Sequence, residues 1–187
     1  MAKIISNFFI SLDGVVESPD QWHFPYWNDE MGAAVEAGMQ SAAAMLMGRK
    51  LYEEWSAYWP ETGEDQDAAM SLNNVRKYVV SSTLGKADWN NTTVISGDVA
   101  AELRDLKKQT DGDIQMSGSA TTVRWLLANG LLDELRLLVH PIAVGRGRRL
   151  FEDTPAHPLK LVTSETFQTG VLNLTYVPDD GRPASAS

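Results

Sequence analysis

Three short clusters of small and polar residues each follow an apolar run, and each could cradle an anion. They are Gly48-Arg49, Ser81-Ser82-Thr83 and Ser117-Gly118-Ser119. Small residues let a backbone come close to a ligand. A helix that starts at such a turn offers free N–H groups and positive potential to a phosphate. Arg49 adds a permanent charge with bidentate geometry. Ordinary turns and helix caps use the same residues, so the weight lies in their repetition after successive apolar runs.

A second set could hold a planar ring. Trp22, Phe24, Tyr26 and Trp27 lie close together, with Trp55, Tyr58 and Trp59 further on. Such a group makes a pocket wall, or equally core or subunit packing. Asp13, Asp29 and Glu30 are the acids nearest to it. Asp13 and Asp29 are the candidates for moving a proton, with water as the alternative, and Asp29 also suits a helix N-cap.

Other motifs point elsewhere or nowhere. Gly145-Arg146-Gly147-Arg148-Arg149-Leu150 starts like a dinucleotide fingerprint but lacks the third glycine and the helix that should follow. It reads as a tight turn with a basic cluster, which could also close over an anion. His23, His140 and His157 lack the spacing of a metal site, so no metal is expected. No G-x-S-x-G elbow and no Walker sequence occurs.

The elements that must position these residues follow from periodicity. Residues 3–11 form a nearly continuous apolar run, the pattern of a strand buried on both faces. Residues 12–28 read as a long loop. From Asp29, Met31, Ala34, Val35, Gly38 and Met39 fall on one helical face. Ala44–Met47, Tyr78–Val80, Val94-Ile95, Asp113–Met116 and Leu135–Val139 predict further strands. Residues 60–68 read as an exposed acidic loop. Asp98 should cap a helix carrying Val99, Leu103 and Leu106. A further helix carries Val123, Leu126 and Leu127, with Gly130 past its end. Leu159–Phe167 and Val171–Val177 predict a hairpin around Thr169-Gly170. Alternating strands and helices closed by a hairpin give an α/β three-layer domain with a mixed sheet. No linker is marked, so residues 1–178 are expected to be one domain and 179–187 a flexible tail.

Composition sets the outer limits. The chain has 187 residues, no cysteine and a net charge of −9, so a disulfide scaffold and a Cys-ligated metal are excluded. The acidic balance counts against nucleic-acid binding. No run of about 18 apolar residues exists, so no membrane span is expected. The start reads as a first strand in place of a signal peptide, and the expected address is the cytoplasm.

Taken in order, the motifs resemble the dihydrofolate reductase-like family. The similar branch holds the reductase domain of riboflavin-biosynthesis deaminase–reductases (the RibD C-terminal domain) and its stand-alone bacterial homologues. The motifs are Ser11-Leu12-Asp13-Gly14, Met47-Gly48-Arg49, Val80-Ser81-Ser82, Ser117-Gly118-Ser119-Ala120 and Leu131-Leu132-Asp133-Glu134-Leu135. The run Pro141–Gly147 with Leu150-Phe151 completes them. The resemblance covers roughly residues 3–177.

The resemblance implies an NADPH-dependent reductase on a central, mostly parallel eight-stranded sheet, acting on a small-molecule substrate as a homodimer. It implies that Gly48, Arg49, Lys50, Ser81, Ser82, Thr83 and Ser117, Gly118, Ser119, Ala120, Thr121 hold NADPH. The substrate, a pterin- or pyrimidine-like heterocycle, would stack near Trp22, Phe24 and Trp27. A riboflavin-pathway ribosylaminopyrimidine reductase is the enzymatic alternative, although the sequence shows no deaminase zinc ligands. A ligand-binding protein without turnover is the alternative of another class. Three positions depart from the dihydrofolate reductases. Gly118-Ser119 replaces Gly-Gly, Leu51 replaces a threonine, and Trp27 stands where their pterin-binding carboxylate would be, with Asp29 two residues on.

Overall fold

The computed structural model describes residues 1–179. Of the expected tail, all but Asp179 lies outside the described residues. Strands β1 (Ile4–Ser11), β2 (Ala42–Gly48), β3 (Arg76–Val80), β4 (Thr92–Ile95), β5 (Asp113–Met116), β6 (Glu134–His140), β7 (Leu159–Thr166) and β8 (Leu172–Pro178) form one sheet. Its order is β4-β3-β2-β5-β1-β6-β8-β7. Neighbours from β4 to β6 are parallel, while β8 runs antiparallel to both β6 and β7. Helices α1 (Asp29–Gln40), α2 (Arg49–Tyr58), α3 (Gln66–Asn74), α4 (Val99–Gln109) and α5 (Ala120–Ala128) connect the parallel strands. This is the mixed, mostly parallel three-layer α/β architecture with a closing hairpin that the sequence predicts.

Alternation along the central strands shows why both faces are covered. On β2, Ala44 and Leu46 enter the large cluster that contains Ile4, Phe8, Ile114, Val123 and Leu126. Met45 and Met47 point the other way, to Tyr52, Leu72, Val79 and Trp89 under α2 and α3. A third cluster packs Met31 of α1 on Phe167 and Val171, with Phe9 of β1 against it. Val123 and Leu126 are fully buried, and burying such side chains contributes about 1.5–3 kcal/mol each. That packing fixes the position of the α5 N-terminus at the sheet edge.

Buried polar contacts set the strand ends. Asp133 accepts the Ile4 N–H at 2.7 Å and pairs with Lys107 at 2.7 Å, joining β1, α4 and the start of β6. Lys77 on β3 is fully buried. Its ammonium donates to the carbonyls of Val75 at 2.8 Å, Asn90 at 3.0 Å and Asn73 at 3.2 Å, and lies 4.4 Å from the Trp89 ring centre. Burial lowers its pKa to about 8.

Three expectations need correction. The acidic loop expected over 60–68 ends early, because Asp65 caps α3 by accepting the Ala68 N–H at 3.3 Å. Few apolar residues on an eight- to nine-residue window hid that helix. The cap of α1 is Asn28, which accepts the Met31 N–H at 3.0 Å, and Asp29 is the first helical residue. The loop over 12–28 contains two short turns, Pro19–Gln21 and Phe24–Tyr26. Asp98 caps α4 through the Ala101 N–H, as its sequence context predicts.

Candidate functional site

The carboxyl ends of the parallel strands bring the three anion-type turns together. Gly48 pairs with Val80 in the β2–β3 register, so Gly48-Arg49 and Ser81-Ser82-Thr83 emerge side by side. Strand β5 lies on the other side of β2 and ends at Met116, just before Ser117. In an open α/β sheet this edge is where ligands bind.

Gly48 has an ordinary extended backbone, with φ −80° and ψ 161°. Space explains the glycine. A Cβ there would meet Thr122 Oγ1 at 2.6 Å and Ser119 Oγ at 2.7 Å. The β2–α2 turn therefore rests directly on the N-terminus of α5. Ser119 caps that helix: its Oγ accepts the Thr122 N–H at 3.4 Å and lies 2.9 Å from Thr122 Oγ1. Helix α2 has Gly48 as its N-cap and no capping side chain. Its first N–H groups are the ready-made anion contacts of a helix start.

Around this edge the predicted residues differ in role. Arg49 is half-exposed and pairs with Glu53 at 3.0 Å. Lys50 is exposed and lies 4.0 Å from Glu17 and 3.9 Å from Glu54. Ser81 is buried, and its hydroxyl accepts the N–H groups of Thr83 at 3.2 Å and Leu84 at 3.0 Å. It shapes the turn, while Ser82 and Thr83 are exposed. Ser117 and Thr121 are exposed, and Gly118 and Ala120 are buried. The Gly118–Ser119 peptide is cis.

The aromatic wall stands over β1 and β6. Trp22 is buried, whereas Phe24 and Trp27 are exposed. Trp27 lies 3.7 Å from the position of a Cβ on Gly32, against the first turn of α1. That turn also carries Asp29, which is exposed. Glu30 accepts from Asn28 at 2.7 Å and from the Gln168 N–H at 2.8 Å, tying the start of α1 to the β7–β8 turn.

Asp13 has a different occupation from the proton donor that its position suggests. Its carboxylate accepts from Ser11 Oγ at 2.6 Å, the Gly145 N–H at 2.8 Å and the Val144 N–H at 3.0 Å. Those bonds, Ser11 first, lower its pKa to about 2. A carboxyl held ionised in this way has no proton to give near neutral pH. It clamps the 12–17 segment to the loop after β6. Val15 bridges to Arg149, Arg149 Nε donates to the Asp13 carbonyl at 3.0 Å, and Arg124 of α5 donates to the Leu150 carbonyl at 3.0 Å. The Gly145–Arg149 run is thus a flap packed on a neighbouring segment, more than a free basic turn.

Sequence spacing missed His23 and His140. The β1–β6 register sets His140 beside Ser11 and Leu138 beside Phe9. The short turns then fold His23 over Phe9, with ring centres 4.7 Å apart and planes 6° from parallel. The two imidazole centres are 6.1 Å apart. Only His23 could have been suspected from sequence, since it sits inside the aromatic segment. The partner comes from a strand that no local pattern links to it. Among the described residues no group of three or more His, Asp or Glu is placed to hold a metal ion.

Comparison with known proteins decides the family. Residues 2–173 match the model of the RibD C-terminal domain. The chain belongs to the RibD C-terminal domain family. The uncharacterised protein YyaP of Bacillus subtilis (strain 168) is 31% identical over 180 residues, covering 93% of this chain and 94% of YyaP. A candidate riboflavin biosynthesis protein from Shewanella sp. PV-4 superposes with a TM-score of 0.73 at 20% identity, over 96% of this chain and 99% of that one. Dihydrofolate reductase from Enterococcus faecalis, solved with NADP(H), superposes with a TM-score of 0.64 at 13% identity, over 95% and 97% of the two chains. The fold of this RibD C-terminal domain is therefore dihydrofolate reductase-like. Its aromatic wall and paired histidines lie at the β1 and β6 ends, and its three anion-type turns at the β2, β3 and β5 ends.

Proposed function

We propose that the protein is an NADPH-dependent reductase that transfers a hydride to a small planar heterocycle of pterin or pyrimidine type. The observation that carries this reading is the convergence of three small-residue turns on adjacent strands, beside an aromatic wall on the next two. The uncapped α2 N-terminus fits a phosphate, with Arg49 and Lys50 next to it. Ser82, Thr83, Ser117 and Thr121 would line the same edge. NADPH would supply the hydride. The chain's residues bind and orient it, and Gly48 allows α2 and α5 to approach closely enough to share one ligand. Phe24 and Trp27 would stack the heterocycle, with buried Trp22 behind them helping to exclude water. Asp29 or water would deliver the proton, because Asp13 serves as a clamp.

Trp27 in place of a carboxylate favours a neutral, lactam-like ring edge over a cationic amidine, which keeps the ribosylaminopyrimidine reductase as the nearest alternative. The test is NADPH oxidation with a panel that includes dihydrofolate and aminopyrimidine nucleotides. Turnover with one panel member is expected. Tight NADPH binding with no turnover on any of them would favour the non-catalytic ligand-binding reading.

A homodimer is the matching assembly. Among the described residues no strand pairs with the outer edge of β7. Antiparallel pairing of β7 with a second copy sets Lys160 opposite Glu165 twice, a self-complementary register. Sedimentation at low and high salt would show a dimer that Lys160→Glu weakens. A monomer at all concentrations would refute the assembly. The cysteine-free chain suits a cytoplasmic, reducing address.

A further inference from the structure

The proposed chemistry leaves two buried imidazoles without a task. His140 is fully buried and His23 is 6% exposed. His140 Nδ1 lies 2.8 Å from the Leu138 carbonyl, so the proton of the neutral ring sits on Nδ1. Its Nε2 is buried with no hydrogen-bond partner, and so is Nδ1 of His23. Leaving such atoms unmatched costs free energy, so each calls for an explanation.

These two rings tie the substrate wall to the sheet. The segment from Pro19 to Trp27 is built from two three-residue turns with few bonds to the sheet. Ring contacts anchor it. His23 lies flat on Phe9 of β1. His140 meets Trp22 edge-on at 5.2 Å, and Phe9 and Tyr26 each at 5.7 Å. His23 in turn meets Phe24 at 4.1 Å and Trp27 at 5.7 Å. Both substrate-wall residues that face solvent thus lean on His23, and buried Trp22 and half-buried Tyr26 lean on His140.

We propose that His23 and His140 form an acid-sensitive latch, holding the Pro19–Trp27 segment on the sheet while both rings are neutral and releasing it when either is protonated. A proton added at His140 Nε2 or His23 Nδ1 makes a buried N–H with no acceptor, on a ring that now carries charge. The groups facing the pair give little relief. β1 offers Phe9 and the Ile10 carbonyl, and β6 the Leu138 carbonyl already engaged. Tyr26 contributes a ring edge, and each imidazole repels a charge on the other. Asp20 pulls towards protonation at His23, and the Leu138 and Ile10 carbonyls do so at His140, but burial outweighs them at both rings. Burial accordingly holds both rings below the ordinary histidine value of 6.5. The released segment would bind protons at that ordinary value, so the latched form loses stability as pH falls through 6.5. The released fraction then rises about tenfold per pH unit for one proton.

The latch stands apart from the cofactor reading, because it is read in the ligand-free protein. The probe is the Trp22 indole N–H, which donates to the Glu17 carbonyl at 3.2 Å in the seated segment. Indole and imidazole resonances would be followed by NMR from about pH 8 to about pH 5, with far-UV circular dichroism as the fold control. The expected result is a concerted shift of the Trp22 and Trp27 indoles, with its midpoint below 6.5 and unchanged far-UV signal. His23→Phe, which keeps the stack on Phe9 without the nitrogen, should move that midpoint to lower pH. His140→Asn should do the same. If His140→Asn does not fold, the imidazole titrations of the unmodified protein still decide. His23 and His140 titrating at or above 6.5, or an indole transition that is absent or unchanged in His23→Phe, overturns the latch.

Discussion

Gly48→Ala is the sharpest perturbation of the site. The added Cβ would sit 2.6 Å from Thr122 Oγ1 and 2.7 Å from Ser119 Oγ. An ordinary contact is about 3.5–4 Å, so the α2 and α5 starts must part by roughly 1 Å. Neither hydroxyl can swing far, since each is on a one- or two-carbon side chain and they lie 2.9 Å from each other. Overpacking of this kind costs about 1–3 kcal/mol, and loss of the Ser119 cap up to about 1 kcal/mol more. A net loss of about 2 kcal/mol would lower Tm by about 4–8 °C in a chain of this size. Calorimetry and a fluorescence titration with NADPH give the two readouts. NADPH affinity should fall by about tenfold or more, because a 1 Å displacement is large for positioned contacts. Gly48→Ala/Thr122→Ala should recover part of both losses by removing the nearer hydroxyl. If Gly48→Ala alone leaves Tm and NADPH affinity unchanged, the turn and α5 do not form one site.

Three further expectations follow from single contacts. Arg49→Ala should weaken NADPH more than NADH, read by parallel titrations, and equal losses would show that Arg49 does not read the extra phosphate. Asp13 has a folded pKa of about 2 against an ordinary 3.8. Its stabilisation is therefore complete above about pH 4 and is lost as pH falls towards 2. Asp13→Asn should flatten that acid limb of the denaturation curve while leaving any step near neutral pH in the rate profile in place. A neutral-pH step lost in this variant would restore Asp13 as a proton donor. Lys77→Met removes the buried donor to three backbone carbonyls. It should destabilise by about 1–3 kcal/mol in urea unfolding, and an unchanged midpoint would show that water takes the place of the ammonium.

Much of the fold was legible because the parallel strands are short apolar runs closed by small residues. The β1 pattern, the Asp98 cap and the hairpin around Thr169-Gly170 are local signals, and the chain obeys them. Helix α3 was not legible, since its apolar face is only Ala69 and Leu72 and its cap lies in an acidic run. At the site, residue types marked the three turns, but only the strand order shows that they are neighbours. Ser81 and Asp13 look functional in sequence and prove to hold turns and loops by accepting hydrogen bonds. The paired histidines escaped notice for the opposite reason. They are 117 positions apart by number, His23 to His140, and meet only through the β1–β6 register and the fold of the aromatic segment.

The most direct test of the central claim is a titration of the protein with NADPH and with NADH, followed by tryptophan fluorescence. Six tryptophans give the signal. The account predicts micromolar NADPH binding, clearly tighter than NADH, at one site per chain. Failure to bind either nucleotide would contradict it, and the three turns would then be ordinary caps on an inherited fold.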